Sequence, residues 1–229
     1  IYAPSSIIDL RNRLLNSQYF ASVRVQPRLN NRDDGSVPLQ VSLTPVQKHQ
    51  ISTGVGFATD IGPRLRFDYL NSYVNRVGHR FETQLRASPI EQSADFSYSI
   101  PLARASEDSL RFDLGLQREQ PDSFTSDTAK FGVRWLFMSQ FDWRQSVFAS
   151  YQRDNFQIAD LPDRSAELTL FGSSVTRTEA DDAILPRRGW RALLRVRGAA
   201  DSVLSDVNML QLDANLKRVY SIGSVRLLS

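Results

Sequence analysis

Residues able to do acid–base or nucleophilic chemistry are scarce in this 229-residue chain. It has two histidines, His49 and His79, and no cysteine. His49 lies where the sequence changes character and His79 follows a turn glycine, so both read as polar surface residues rather than catalytic bases. Neither has metal-ligand spacing to a second ligand. There is no Gly-x-Ser-x-Gly nucleophile elbow and no glycine-rich nucleotide loop. Carboxylates alternate with arginines, as in Arg80/Glu82 and Arg111/Asp113, which suits paired charges better than a general acid–base couple. No enzymatic activity, metal or cofactor is expected.

Two other constellations stand out. The segment Ile51, Thr53, Gly54, Val55, Gly56, Phe57 has a strand pattern interrupted by two glycines. Glycine weakens a strand interior, and it also makes room for curvature or for a neighbouring side chain. If the pairing is weak, exposed N–H and C=O groups become a template for an incoming strand. The second is charge-dense: Arg177, Asp181 and Asp182, followed by Pro186-Arg187-Arg188-Gly189. It reads either as an ion-pair network of Arg177, Asp181, Asp182 and Arg188 inside a lumen or as a solvated turn.

The elements that would position these residues fall into two regions. In residues 1–48, Ser5 or Ser6 caps a helix running to about Asn16, with Ile7, Leu10, Leu14 and Leu15 on one face and Pro4 just outside it. A strand around Phe20, Val23 and Val25 ends at Pro27. After a polar turn at Asn30–Gly35 a second strand carries Val37, Leu39, Val41 and Leu43. This helix-plus-hairpin is too small to bury a core alone.

From about residue 49 the helical period gives way to alternation. Phe81, Thr83, Leu85 and Ala87 interleave with Arg80, Glu82, Gln84 and Arg86. Leu110, Phe112, Leu114 and Leu116 interleave with Arg111, Asp113, Gly115 and Gln117. The pattern recurs in about ten segments of roughly 9–11 residues, the tilted length that crosses a bilayer. Period two means antiparallel strands with one apolar and one polar face. A soluble sandwich covers the apolar face with a second sheet, whereas a membrane barrel turns it to lipid around a wet lumen. Segment length, ionised polar faces and aromatics near segment ends (Tyr69, Tyr73, Trp135, Phe137, Trp143, Tyr151, Trp190, Tyr220) favour the barrel. Short connections at 59–63 and 88–90 against longer ones at 71–78, 119–127 and 155–164 predict short turns on one side and long loops on the other. Phe171 is expected to point to the polar face.

Composition agrees. Hydrophobic residues are 41%, charged residues 23%, and 28 Lys+Arg against 25 Asp+Glu leave a net charge of +3, which excludes a disordered chain. The longest run without a charge, Gly35–Gln47, holds two prolines and is far short of the ~20 residues of a helical span. The charge is mixed in sign along the chain, and no nucleic-acid groove is indicated.

Tyr19-Phe20-Ala21-Ser22-Val23-Arg24-Val25 followed by Val37–Leu43 resembles the last POTRA domain of outer-membrane assembly factors. Ile51–Arg64, Asn75-Arg76-Val77-Gly78-His79-Arg80, Pro89-Ile90-Glu91-Gln92 and Pro186-Arg187-Arg188-Gly189-Trp190 continue, in order, a resemblance to the TamA-like branch of the BamA/TamA superfamily. That resemblance implies a mainly β fold: part of a sixteen-stranded transmembrane barrel over 49–229, preceded by the C-terminal part of a periplasmic POTRA domain over 1–48. It implies an outer-membrane location and insertion or secretion of client proteins through a weak seam formed by the first strand. The expected partners are the lipid bilayer, unfolded outer-membrane clients and a TamB-like protein anchored in the inner membrane. A passive pore, a two-partner secretion transporter, an outer-membrane enzyme and a soluble β-sandwich are the alternatives.

Overall fold

The structure is a computed structural model. It describes residues 4–27, 37–59, 61–102, 104, 107–121, 123–139, 141–158, 162–181, 186–201, 205–222 and 225–228. The chain opens with helix α1 (Pro4–Asn16). Pro4 is its first residue rather than lying outside it, because a missing N–H costs nothing in the first turn. The helix stops at Ser17, whose hydroxyl donates to the Leu14 carbonyl at 2.6 Å, and Gln18 turns the chain with φ 64°.

Strands β1 (Phe20–Pro27) and β2 (Leu39–Pro45) form a two-stranded antiparallel sheet against which α1 packs through β1. Val23, opposite Leu43, is the buried hydrophobic side chain of the described residues, at 6% exposure. The polar turn at Asn30–Gly35 lies outside the described residues.

The rest is a single eleven-stranded antiparallel meander in which every strand pairs with its neighbours in sequence. Its strands are β3 (His49–Ala58), β4 (Gly62–Asn71), β5 (Arg80–Ala87), β6 (Glu91–Pro101), β7 (Ser109–Glu119) and β8 (Thr125–Met138). They continue with β9 (Arg144–Gln157), β10 (Arg164–Ala180), β11 (Arg188–Ala199), β12 (Met209–Ile222) and β13 (Val225–Leu228). The sheet therefore has one strand more than the ten expected. Among the described residues β3 and β13 are its outermost strands.

The two faces follow from the register. A cavity of about 610 Å³ gathers side chains from β5 through β11, among them Glu82, Asp95, Asp113, Lys130, Phe148 and Arg195. Only the concave side of a curved sheet brings seven strands to one space, so the polar face is the inner one. The other face carries Leu114, Phe131, Leu194 and Leu212, with Leu210, Leu212 and Leu216 exposed at 82%, 66% and 73%. A soluble sandwich covers such a face; here no second sheet lies on it among the described residues.

Two expectations fail on register. Leu168 and Leu170 lie opposite Gln152 and Ser150 on the inner face, so Phe171, opposite Ala149, points outward. The lumen aromatic is instead Phe148, opposite Gly172. Loop length also does not sort by side. The connections at 72–79, 102–108 and 139–143 lie at the end where the N-terminal unit joins, whereas 59–61, 88–90, 120–124 and 158–163 lie at the other. Short and long connections occur at both ends, because β8, β9 and β10 run to 14, 14 and 17 residues and absorb chain that the sequence pattern assigned to loops.

Candidate functional site

The glycine-bearing strand is β3, an edge strand whose one hydrogen-bonded neighbour among the described residues is β4. The register sets Ile51 opposite Tyr69, Thr53 opposite Phe67, Val55 opposite Leu65 and Phe57 opposite Pro63, all on the outward face. Ile51, Val55 and Phe57 are among the most exposed apolar side chains of the molecule. Gly54 and Gly56 face inward, opposite Arg66 and Arg64, and they differ. A side chain at Gly56 would meet Arg64 Nε at 3.0 Å, whereas one at Gly54 would make only an ordinary 3.8 Å contact with Arg66. Room for a neighbour accounts for Gly56. Gly54 has no steric need to be glycine among the described residues.

The inner wall carries an ion-pair ladder. Arg80 and Glu82 pair at 2.7 Å, Arg111 reaches Glu82 at 4.0 Å, and Arg111 Nε lies 2.7 Å from Asp113 Oδ1. Ser97 ties it together, donating to Asp113 at 2.6 Å and accepting from Arg111 Nη2 at 2.8 Å. Arg111 and Asp113 are over a third exposed, so each pair contributes about 0–1 kcal/mol. The ladder lines a wet lumen rather than bracing a dry core. Its signal in the sequence was the i, i+2 spacing of opposite charges on one strand face, which was readable there as paired charges.

The second predicted cluster is divided by the structure. Arg177 lies opposite Ala192 and Arg188 opposite Tyr220, both on the outward face, so neither joins a lumen network. Arg177 pairs with Glu179 and lies against the neighbouring rings of Trp143 and Trp190, at 5.8 and 5.7 Å. Asp181 Oδ1 accepts the backbone N–H groups of Arg187 and Arg188 at 2.9 and 3.0 Å, the capping of a turn. Asp182 lies outside the described residues.

The outward rim nearest the N-terminal unit is a belt of rings. Trp135 and Phe137 lie 4.6 Å apart, Trp143 and Trp190 6.4 Å, and Tyr69 contacts Phe81. Tyr73, under Lys48 Nζ, and Tyr220 complete it. Tyr151 lies apart from this belt, two residues from Arg153, whose guanidinium is 3.9 Å from Glu167 toward the opposite rim. Such belts mark a membrane–water boundary. Both histidines belong to the belt: His49 Nδ1 is 2.9 Å from Tyr69 Oη, and His79 Nδ1 is 2.8 Å from Tyr98 Oη.

One junction escaped sequence reasoning. Tyr19, at the end of the helical unit, donates to the Gly78 carbonyl at 2.7 Å, and Arg80 Nη1 donates to Gln18 Oε1 at 2.5 Å. Asn75 Oδ1 organises that turn by accepting the N–H groups of Val77 and His79, both at 3.1 Å. Burial raises the Tyr19 phenol above its ordinary value, while the Arg80 charge opposes the rise.

An antiparallel meander, apolar outside, charged inside and belted with aromatics, has known counterparts. The fold is similar to the crystal structure of BamA from Haemophilus ducreyi lacking POTRA domains 1-3. The TM-score is 0.64 at 12% sequence identity, with 97% of this chain and 47% of that chain covered. The chain thus spans about half the length of that protein, and at this identity the likeness is one of fold. A family model, the Omp85 superfamily domain, matches residues 76–228, two thirds of the sequence and strands β5 to β13 of the meander. The chain therefore belongs to the Omp85 superfamily, whose members are outer-membrane β-barrel proteins.

Proposed function

We propose that this protein is a TamA-like, non-enzymatic outer-membrane assembly factor that inserts or secretes client proteins, β-barrels and autotransporters among them. In this reading residues 1–48 are the C-terminal part of a periplasmic POTRA domain and 49–229 the first part of the barrel. The partners are the bilayer, unfolded clients and a TamB-like protein anchored in the inner membrane.

The observation that carries the reading is the character of β3. It presents an apolar outward face at Ile51, Val55 and Phe57, has β4 as its hydrogen-bonded neighbour among the described residues, and holds a glycine, Gly54, that packing does not require. In a bilayer an unpaired backbone group is costly. An incoming client strand that pairs with Ile51–Phe57 satisfies its own groups and those of the edge together. The client enters the lipid already hydrogen-bonded, which lowers the barrier to insertion.

The 229 residues contain no cysteine, so single cysteines at Ile51, Thr53, Val55 and Phe57 can be read cleanly. Crosslinks to the terminal strand of a nascent client barrel are expected there, with few from a control at Phe131 in β8. Equal yields at β3 and β8 would remove the seam role. A large, stable ion conductance that clients do not alter would point to a passive pore instead.

A further inference from the structure

The outward face of β10, β11 and β12 is not uniform. Ala192 and Ala214 sit diagonally across the β11–β12 pair, where Leu194 and Leu216 are their partners. Their methyl groups floor a groove of about 480 Å³, walled by Val175, Leu194, Leu216 and the ring of Trp143. The lining is almost wholly apolar.

The end of this groove nearest the N-terminal unit is charged. Arg177 is the cross-strand partner of Ala192. One step nearer the rim Arg218 stands opposite Trp190, and one step further Arg188 stands opposite Tyr220 with its guanidinium 5.8 Å from the ring centre. Three arginines thus share this outward patch with Glu179, which pairs with Arg177 and accepts from Trp190 Nε1 at 3.1 Å, and with Asp181, whose Oδ1 accepts backbone N–H groups. The Nε of Arg177 is buried without a hydrogen-bond partner. Its guanidinium lies against the adjacent rings of Trp143 and Trp190.

We propose that this patch is a binding site for one glycerophospholipid of the leaflet on the side of the N-terminal unit. An acyl chain lies in the Ala192–Ala214 groove and the phosphate is held by Arg177, Arg188 and Arg218. Along the strands the groove is followed by Arg177 level with Ala192, then by Trp190 with Arg218, then by Arg188, so the apolar wall gives way to a mixed zone of rings and cations as a lipid tail gives way to interface and phosphate. Guanidinium is the side chain that binds phosphate oxygens in a forked, directional way. The small floor matters as much as the charge. Leucines at Ala192 and Ala214 would continue the flat wall formed elsewhere by Leu210, Leu212 and Leu216 and would leave a tail no recess.

The proposal rests on the membrane placement above, and its test separates the two. The full-length protein is reconstituted in nanodiscs of phosphatidylethanolamine and phosphatidylglycerol, moved to lipid-free detergent, and weighed by native mass spectrometry. The wild type is expected to retain one phospholipid. Ala214→Leu, which fills the groove, and Arg188→Gln with Arg218→Gln, which removes two cations, are each expected to lower the retained fraction about tenfold. Arg118→Gln, on the outward face at the opposite rim, leaves it unchanged. Heat-modifiable migration on gels confirms that each variant is folded. A folded wild type that holds no lipid, site variants that hold as much as the wild type, or an equal loss in the Arg118 control would overturn the site. A wild type that fails to enter nanodiscs would remove the membrane placement and the site with it.

Discussion

The hydroxyl of Tyr19 donates a 2.7 Å hydrogen bond to the carbonyl oxygen of Gly78 across 59 residues of sequence. It joins the small α+β unit to the first turn of the meander on that side. The backbone closes the same joint, since the Val46 N–H donates to the Tyr19 carbonyl at 2.9 Å and that of Ser72 to Lys48 at 2.8 Å. The unit is therefore pinned to the β4–β5 turn as well as tethered through the chain entering β3.

This joint should depend more on Gly78 than on the tyrosine hydroxyl. Gly78 has φ 85°, and a Cβ there would lie 2.5 Å from Tyr19 Oη and 2.8 Å from Cζ. Gly78→Ala combines left-handed strain with a clash, about 1–3 kcal/mol. Tyr19→Phe loses one partly exposed hydrogen bond, about 0.5–1.5 kcal/mol. Amide hydrogen exchange at Val46 should quicken in both variants, and more in Gly78→Ala; the reverse order would mean that the ring is not packed on the turn.

The same contact sets a pH dependence. Burial raises the Tyr19 phenol above its ordinary value near 10, so between the unfolded and folded values the folded state holds the proton more tightly. Stability from this group is fully present below pH 10 and declines as the pH rises through the folded value. Val46 exchange, corrected for its intrinsic base dependence, should show opening of the joint above pH 10 and none between pH 6 and 9. Tyr19→Phe should abolish the alkaline opening.

The assignment of faces makes opposite predictions for neighbouring strands. Leu114 lies on the outward face between Phe96 and Phe131, near the middle of the apolar band. Leu114→Arg should destabilise the reconstituted protein by about 2–4 kcal/mol. Gln152 faces the lumen and donates to Asp154 at 2.9 Å, so Gln152→Arg gains a facing carboxylate and should change stability by less than about 1 kcal/mol. Urea titration in liposomes measures both. Equal costs would argue for two similarly buried faces, as in a sandwich.

Much of this was legible in the sequence because period two survives wherever charged and apolar residues alternate without a break. β5 and β7 each show that alternation, and their faces came out as predicted. It failed in β10, where Leu168-Thr169-Leu170-Phe171 offers apolar residues at both parities. Placing Phe171 inward is a one-residue choice of face, and the same choice carries Arg177, six residues on, into the lumen with it. The β9–β10 register, Leu168 opposite Gln152, decides the matter, and a slip of one residue turns every side chain over. Arg188 was misplaced for a related reason, because its face is set by pairing with Tyr220 on a strand 32 residues away. Loop lengths misled because strand ends extend beyond the apolar band without an apolar signal. The Tyr19–Gly78 joint was invisible in principle, since nothing in either local pattern names the other.

Phe148 and Gly172 give the last prediction, because they face each other inside the lumen. The Phe148 ring lies over Gly172, with the Arg134 guanidinium 5.6 Å from its centre. A Cβ at Gly172 would enter that ring and approach the Val196 carbonyl oxygen to 3.0 Å. Gly172→Ala should therefore cost about 1–3 kcal/mol through overpacking. Phe148→Ala should cost something of its own through lost contact with Gly172 and Arg134. The double variant removes the ring clash and keeps the Val196 contact, so its cost should fall short of the sum of the singles by about 1 kcal/mol. A double-mutant cycle on urea midpoints, read from tryptophan fluorescence, measures that shortfall. Strict additivity would show that the ring swings clear of the added methyl, and the Phe148–Gly172 contact would then be an arrangement of the resting wall rather than a constraint on it.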